Sequence, residues 1–283
     1  GYFDFVIIEG AFMGDYLKDL RRIGQHCTLR AHNLEHLIWK RTSQAVSNPL
    51  KKWYLTLQSN RLKRFEEALS KSVDSIWSIS EEDNFWFKAI NPASTTISVS
   101  IAQQEVMTNL THLSCFHLGA LDWEPNLQGL EWFTSQVWPR VLREIPNATF
   151  HVAGNNPPKH MQSDQKKNIT VHGRVPDAQE FAKSHGIAVV PLLAGSGVRI
   201  KIIMNASWGV PMVSTRVGAE GLFNATAQGV VLADSAEEFS QALIALLQNP
   251  EKSLALGHTA NQHILSNFGP KSIQEKIAQA WSV

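Results

Sequence analysis

The feature that most constrains the fold is a series of short apolar segments, each followed by a helical pattern, in the second half of the chain. Most of these segments are apolar throughout, as expected for parallel strands that helices cover on both faces. The predicted strands are residues 116–118, 148–153, 169–172, 187–191, 211–214 and 230–232. A strand–helix series of this kind predicts a doubly wound parallel α/β sheet.

The first half shows a shorter version of the same pattern. The predicted strands are residues 5–8, 27–30, 75–79 and 96–99. A long helix is predicted over 49–72, because Pro49 suits a first helical turn and the apolar residues keep to one stripe. A polar stretch then places a domain boundary after residue 110. The expected organisation is 1–110, 111–267 and a C-terminal helix within 268–283.

Composition narrows the class of protein. The 283 residues are 43% apolar and 18% charged, which allows two buried cores and excludes a disordered or collagen-like chain. The formal net charge of +1 gives no indication of nucleic-acid binding. Cys27 and Cys115 are too few for a metal cluster and favour a reducing compartment. Without an apolar run of roughly 20 residues or a secretory signal, we expect a cytoplasmic protein.

The most informative post-strand segment is the glycine-containing turn that leads into a helix at Arg199 and Lys201. Two cations in a first helical turn interact unfavourably with the helix dipole, and each costs about 0.3–1 kcal/mol of helix stability. A bound phosphate would remove that conflict, since it also accepts hydrogen bonds from the exposed backbone N–H groups. The alternative is that both cations are solvated surface groups.

Several segments in order along the chain carry a family resemblance. They are 29–35 (LRAHNLE), 117–126 (HLGALDWEPN), 150–154 (FHVAG), 171–177 (VHGRVPD), 195–201 (GSGVRIK) and 209–222 (GVPMVSTRVGAEGL). Together they resemble the retaining glycosyltransferases of family 4, also called glycosyl transferases group 1. The resemblance implies a GT-B fold, in which two Rossmann-like domains face each other across a cleft that holds a nucleotide sugar. It also implies transfer with retention, no bound metal or cofactor, and a C-terminal helix that crosses back to the first domain.

The resemblance also implies roles for individual residues. Arg199 and Lys201 would hold the donor diphosphate, and His32 would bond the transferred sugar or, alternatively, cap its strand. Asp122, Glu124 and Asn126 are candidate acceptor contacts, with solvated loop residues as the alternative. The implied donor-binding residues are Gly119, Gly173, Arg174, Val175, Pro176, Ser196, Gly197, Val198, Met204 and Asn205.

Two departures weigh against full activity. Met204 stands where family members usually carry a glutamate that binds the ribose hydroxyls, and Ser196 stands where many carry another acid. Losing a carboxylate partner of two hydroxyls would cost about 1.5–3 kcal/mol of donor binding. In addition, only four strands precede the predicted boundary and the chain opens with Gly1, so we expect an incomplete first domain.

Three functions are therefore compared. The first is a retaining glycosyltransferase that moves a sugar from a UDP- or GDP-sugar to a saccharide, lipid-linked or small-molecule acceptor, as in polysaccharide biosynthesis. The second is a non-catalytic relative that binds or scaffolds. The third, an epimerase, needs more acid–base groups than the sequence places in the cleft.

The helix predicted over 49–72 carries a basic surface. Residues 18–71 contain twelve Lys or Arg against four Asp or Glu. Such a surface is either a solvated helix face or a peripheral contact with an anionic membrane.

Overall fold

The computed structural model describes residues 1–46, 48–110, 113–194, 198–223 and 228–281. These residues form two units. The first comprises residues 1–100, Val198 and the C-terminal segment from Lys271, and the second comprises residues 101–194 and 199–270. The division falls between Ser100 and Ile101, whereas the boundary predicted from the sequence follows residue 110.

The first unit contains a four-stranded parallel sheet in which the strands follow chain order. Its strands are β1 (Phe3–Glu9), β2 (Gly24–Ala31), β3 (Ser75–Ser78) and β4 (Ser94–Thr96). Between β1 and β4 the chain forms the helices α1 (Leu17–Leu20), α2 (Glu35–Ala45), α3 (Pro49–Ser72) and α4 (Glu81–Lys88). The parallel α/β architecture predicted for this half is confirmed.

Helix α3 begins and ends where the sequence predicted. Asn48 precedes it, and the Oδ1 atom of Asn48 accepts hydrogen bonds from the N–H groups of Leu50 and Lys51. The side chains of Leu50, Trp53 and Tyr54 are exposed. No helix among the described residues is both long and apolar enough to cross a membrane. Contact of α3 with an anionic membrane surface stays a prediction.

The second unit contains a six-stranded parallel sheet. Its strands are β5 (Ser114–Leu118), β6 (Thr149–Ala153), β7 (Ile169–Gly173), β8 (Ile187–Val190), β9 (Met212–Ser214) and β10 (Val230–Leu232). Their order is β10-β9-β8-β5-β6-β7, so the chain switches direction across the sheet at β5, between β6 and β8. In such sheets ligands bind outside the carboxyl ends of the strands at this switch point.

Helices cover the second sheet. They are α5 (Glu124–Trp132), α6 (Trp138–Glu144), α7 (Ala178–His185), α8 (Ile200–Ser207), α9 (Arg216–Ala219), α10 (Ala236–Leu247) and α11 (Pro250–Phe268). A core of buried aromatic rings, among them Phe133, Trp138, Phe150 and Phe239, lies between the sheet and these helices. Doubly wound architecture predicts helices of this kind beside the strands.

In the sequence, Ser235 with Glu238 and Ser272 with Glu275 both have the spacing of a capping box, which predicts a helix start at each serine. The two predictions turn out differently. Ser235 and Glu238 form the predicted capping box at the start of α10, with each side chain bonded to the other residue's backbone N–H. The same pattern at Ser272 and Glu275 is wrong, because the last helix, α12 (Pro270–Trp281), begins two residues earlier at a proline. Proline is favoured in a first helical turn because it lacks the N–H that would stay unbonded there.

Helix α12 packs within the first unit. Ile273 belongs to a small buried cluster with Trp77 of β3 and with Ile97. Near the end of the helix, the ring of Trp281 lies 5.7 Å from the rings of both Phe5 and Trp77. The C-terminal helix therefore contributes to the core of the first unit.

Candidate functional site

The residues singled out around Lys201 meet at the switch point of the second sheet. Gly119 directly follows β5, and Lys201 is the second residue of α8. The loop after β8 leads into α8, so a strand end and a helix N-terminus supply the two sides of the site. This is the location at which parallel α/β sheets bind their ligands.

The Lys201 ammonium group is held by two buried side chains. Its Nζ atom donates a hydrogen bond to Oδ1 of Asn126 at 2.5 Å and lies 3.5 Å from Nε2 of His117. The amide nitrogen of Asn126 donates to the carbonyl of Ala120 at 2.7 Å, which directs Oδ1 toward the lysine. Similarly, His117 Nδ1 donates to the carbonyl of Val189, so its Nε2 lone pair faces Lys201. We call Lys201, Asn126 and His117 the lysine cluster.

Burial shifts the titration of this cluster. Together with the neighbouring positive charge of Arg199, it lowers the pKa of Lys201 to about 7. Burial, together with the charge of Lys201, holds the pKa of His117 well below its usual range. His117 is therefore a neutral acceptor at neutral pH. A ligand with negative charge would restore the protonated state of Lys201.

Glycine is required beside the lysine cluster. A Cβ atom at Gly119 would lie 2.8 Å from Nζ of Lys201 and 3.0 Å from the amide nitrogen of Asn126. A Cβ atom at Gly154, after β6, would lie 1.7 Å from the carbonyl oxygen of Gly119. The two glycines let neighbouring loops approach each other closely and leave room at the end of Lys201. The end of the Lys201 side chain therefore lies against Gly119, and the predicted role of Gly119 in donor binding stays a prediction.

Arg199 adds a second cation to the same helix N-terminus. It occupies the N-cap position of α8, is 5% exposed, and its guanidinium carbon lies 5.9 Å from the centre of the Trp123 ring. Helix α8, all of whose residues are described, has no acidic residue in its first turn. The two cations and the helix dipole therefore act in the same direction on an anion at this end. The alternative of solvated surface cations does not fit Arg199, which is buried.

A cavity of about 300 Å³ brings together other predicted residues. Pro176 and Met204 both line it, together with the buried Trp208. The remaining lining residues are Ile101, Gln104, Asp177, Ala178 and Gln179. Asn205 does not line this cavity, because it is 2% exposed and its Oδ1 has no hydrogen-bond partner among the described residues. Met204 thus lines this cavity and Asn205 does not, and the role predicted for each residue at a nucleotide stays a prediction.

The segment between β7 and α7 begins at a glycine with a positive φ. Gly173 ends β7 with a φ of +66°, a conformation that favours glycine. Arg174 is exposed and Val175 is partly buried. Asp177 caps α7, as its Oδ1 accepts hydrogen bonds from the N–H groups of Gln179 and Glu180.

The candidate acceptor residues separate in the structure. Asp122 is exposed and accepts a hydrogen bond from Asn156 at 2.7 Å, and exposed Glu124 accepts one from Gln128 at 2.9 Å. Asn126 is 2% exposed and belongs instead to the lysine cluster. His117 was not predicted as a site residue. The available signal was that His117 lies near the carboxyl end of a strand that leads to a glycine.

The remaining predicted site residues lie away from the lysine cluster or outside the residues that the structure describes. His32 follows β2 in the first unit, is exposed, and its Nε2 lies 2.7 Å from a carboxylate oxygen of Glu9. Val198 is partly buried. Ser196 and Gly197 lie outside the described residues, so their predicted role at the donor stays a prediction.

Comparison of the sequence with known proteins agrees with the family resemblance. Residues 113–249 match the model of the family described as glycosyl transferases group 1. An uncharacterized 44.6 kDa protein in the cps region of Klebsiella pneumoniae is 23% identical over 291 residues. That alignment covers 97% of this chain and 73% of the relative.

Comparison of the structure gives the same fold at low sequence identity. TarM superposes with a TM-score of 0.77 at 12% identity, over 99% of this chain and 55% of TarM. Anabaena HepE in complex with UDP superposes with a TM-score of 0.74 at 11% identity, over 99% of this chain and 78% of HepE. The chain therefore spans just over half the length of TarM. The two parallel sheets are those of a GT-B fold, and residues 113–249 match the model of the glycosyl transferases group 1 family.

Proposed function

We propose that this chain is a retaining glycosyltransferase that binds the diphosphate of a nucleotide sugar at the lysine cluster. The observation that carries the proposal is the Lys201 ammonium group, fixed by Asn126 and His117 beside Arg199 at the N-terminus of α8. Lysine ammonium groups and helix N-termini both bind phosphate oxygens. The family whose model residues 113–249 match supports a transferase.

The chemistry assigned to these cations is charge stabilisation. When the bond between sugar and diphosphate breaks, negative charge develops on the leaving nucleotide. Arg199 and Lys201 are placed to stabilise that charge, and because their positions are fixed before reaction, little reorganisation is needed. The proposal assigns no metal and no cofactor to this step. The oxygen of the acceptor hydroxyl then bonds to the sugar with retention of configuration, and the hydroxyl proton passes to the departing diphosphate.

The cavity lined by Pro176, Met204 and Trp208 is the proposed place of the nucleoside. Its walls come from the loop after β7 and from α8, so it begins within one helical turn of Lys201. Support for a uridine nucleotide comes from HepE, which was solved with UDP. A Staphylococcus aureus TarM mutant was solved with UDP and alpha-GlcNAc-glycerol, which supports a saccharide-type acceptor.

Thermal unfolding with UDP, GDP, ADP and their sugar conjugates tests the diphosphate site. We expect one base to stabilise the protein by about 2.7 kcal/mol at a hundred times its dissociation constant, seen as a rise of a few degrees in Tm. Lys201→Met should remove the rise, because the ligand loses its main charge partner. Lys252→Met is the matched control, since Lys252 is exposed at the start of α11. A rise that persists in Lys201→Met would contradict the assignment.

A second function, nucleotide binding without transfer, is favoured by Met204. A thioether is a weak acceptor and cannot replace a carboxylate that receives hydrogen bonds from two ribose hydroxyls. Met204→Glu should raise nucleotide affinity about tenfold, and Met204→Gln is the uncharged control. Release of free nucleotide from the sugar conjugate by the unmodified chain supports transfer. Tight binding with no release, in both the unmodified chain and Met204→Glu, supports the second function.

A further inference from the structure

Three histidines outside the lysine cluster meet on one face of the second sheet. His151 lies on β6, His172 on β7 and His185 at the end of α7. One ring nitrogen from each lies within 4.8 Å of the other two, and Nδ1 of His151 is 3.0 Å from Nε2 of His172. We call these three residues the histidine cluster.

The fold brings these rings together from three separate elements. His151 pairs with Thr170 on the neighbouring strand, and His172 lies two residues further, on the same face of β7. The backbone of His185 is fixed because its carbonyl accepts a hydrogen bond from Ser114 and α7 ends at Gly186, whose φ is +80°. The ring of Phe181, one turn earlier on α7, packs against the rings of His172 and His185. The cluster therefore has a rigid apolar base and one exposed member, His172.

In His185 and His151, one ring nitrogen bonds to an oxygen outside the histidine cluster. These hydrogen bonds determine which ring nitrogen carries a lone pair toward the other two histidines. Nδ1 of His185 donates to the carbonyl of Phe181 at 2.7 Å, so its Nε2 carries a lone pair. Nε2 of His151 lies 3.1 Å from the hydroxyl of Thr149 and can donate to it, which leaves a lone pair on Nδ1. Metal-binding histidines use this arrangement, in which an oxygen acceptor holds the second ring N–H and orients the ring.

The three nitrogens are also close to the spacing that a tetrahedral ion requires. Zinc binds imidazole nitrogen at about 2.0–2.1 Å, so two ligand nitrogens lie about 3.3 Å apart. The pair from His151 and His172 is at that spacing within a few tenths of an ångström. The third nitrogen is at most 4.8 Å away, which a small ring rotation of His185 can close.

We infer that His151, His172 and His185 form a binding site for one zinc ion, with Nδ1 of His151 and Nε2 of the other two as ligands. Imidazole nitrogen suits zinc, whereas magnesium prefers oxygen ligands. Solvent completes the coordination on the exposed side of His172. When the ion binds, the proton between His151 and His172 moves to Nδ1 of His172, and no bond to carbon changes. The ion ties α7 to β6 and β7 and serves as a structural link.

Calorimetric titration of the metal-free protein with zinc chloride tests the site. We expect one ion per chain, and at least a tenfold weaker affinity in His172→Ala, whose side chain is exposed and whose loss leaves the apolar base intact. His258→Ala is the matched control, because His258 is an exposed histidine on α11. Magnesium chloride should give no heat of binding.

A second measurement reports on the coordination itself. Cobalt substituted for zinc should give the visible absorption of a tetrahedral nitrogen site, and this absorption should disappear in His151→Ala and His172→Ala. Loss of zinc binding in His258→Ala, or one tightly bound ion in both His151→Ala and His172→Ala, would overturn the inference. So would the absence of stoichiometric zinc binding to the unmodified chain.

Discussion

The second unit holds two polar clusters of opposite character on a single sheet. In the lysine cluster, Lys201 donates to Asn126 beside the buried cation Arg199. In the histidine cluster, His151 and His172 approach each other with ring nitrogens 3.0 Å apart. The first presents N–H donors, and the second presents lone pairs.

Burial has the same effect on titration in both clusters but a different chemical consequence. It lowers the pKa of Lys201 to about 7 and that of His151 to about 4. Lysine at neutral pH then lies at its titration midpoint, so an anion readily restores the charge. Histidine at neutral pH has lost its proton and offers a lone pair to a cation. The same physical cause, burial, therefore favours an anion at the lysine cluster and neutral imidazoles at the histidine cluster.

The largest expected difference between the clusters is their response to alkaline pH. Free Lys201 has a pKa of about 7, and a bound diphosphate raises it, so binding takes up a proton above pH 7. Since about half of Lys201 is protonated at pH 7 and about 1% at pH 9, affinity for the nucleotide should then fall about 50-fold between these two pH values. Zinc affinity should not show this fall between pH 7 and pH 8, because Lys201 does not belong to the histidine cluster. Calorimetry in two buffers of different ionisation enthalpy measures the proton uptake.

Lys201→Met provides the control for this pH response. Its residual nucleotide affinity should be nearly independent of pH over the same range, since the group that titrates is gone. A pH profile of the same slope in Lys201→Met would show that another group controls binding.

A smaller effect is expected from Gly119→Ala. The added methyl would lie 2.8 Å from Nζ of Lys201, at the flexible end of the side chain, so the lysine is displaced while the backbone stays in place. We expect about a tenfold loss of nucleotide affinity and no change in zinc affinity, both measured by calorimetry. Loss of both affinities would mean that the substitution disturbs the whole sheet and not the lysine cluster alone.

The sequence predicted the architecture because local patterns determine it. The apolar segments became parallel strands in both units, and α3 begins at Pro49 as the pattern indicated. The helix predicted to begin at Ser272 shows the limit of such signals. A capping pattern competes there with a proline two residues earlier, and the proline begins the helix.

The sites were predictable only in part, because tertiary contacts determine them. A helix start with two cations indicated Arg199 and Lys201. Nothing local indicated that Asn126 would be buried against Lys201 and not exposed to an acceptor. The histidine cluster carries no motif, since its members lie 21 and 13 residues apart and meet only through strand register and the end of α7.

The smallest effect is expected from a substitution that contacts neither cluster, and this substitution is the control for loss of stability alone. Ser235→Ala removes the hydroxyl that caps α10 in the capping box with Glu238. Loss of such a cap costs about 1 kcal/mol, which for a protein of this size lowers Tm by about 2–4 °C. Nucleotide and zinc affinities should both stay unchanged, because neither cluster uses α10. If thermal unfolding and calorimetry showed that either affinity follows this loss of stability, the effects of Lys201→Met or His172→Ala could no longer be attributed to lost ligand contacts.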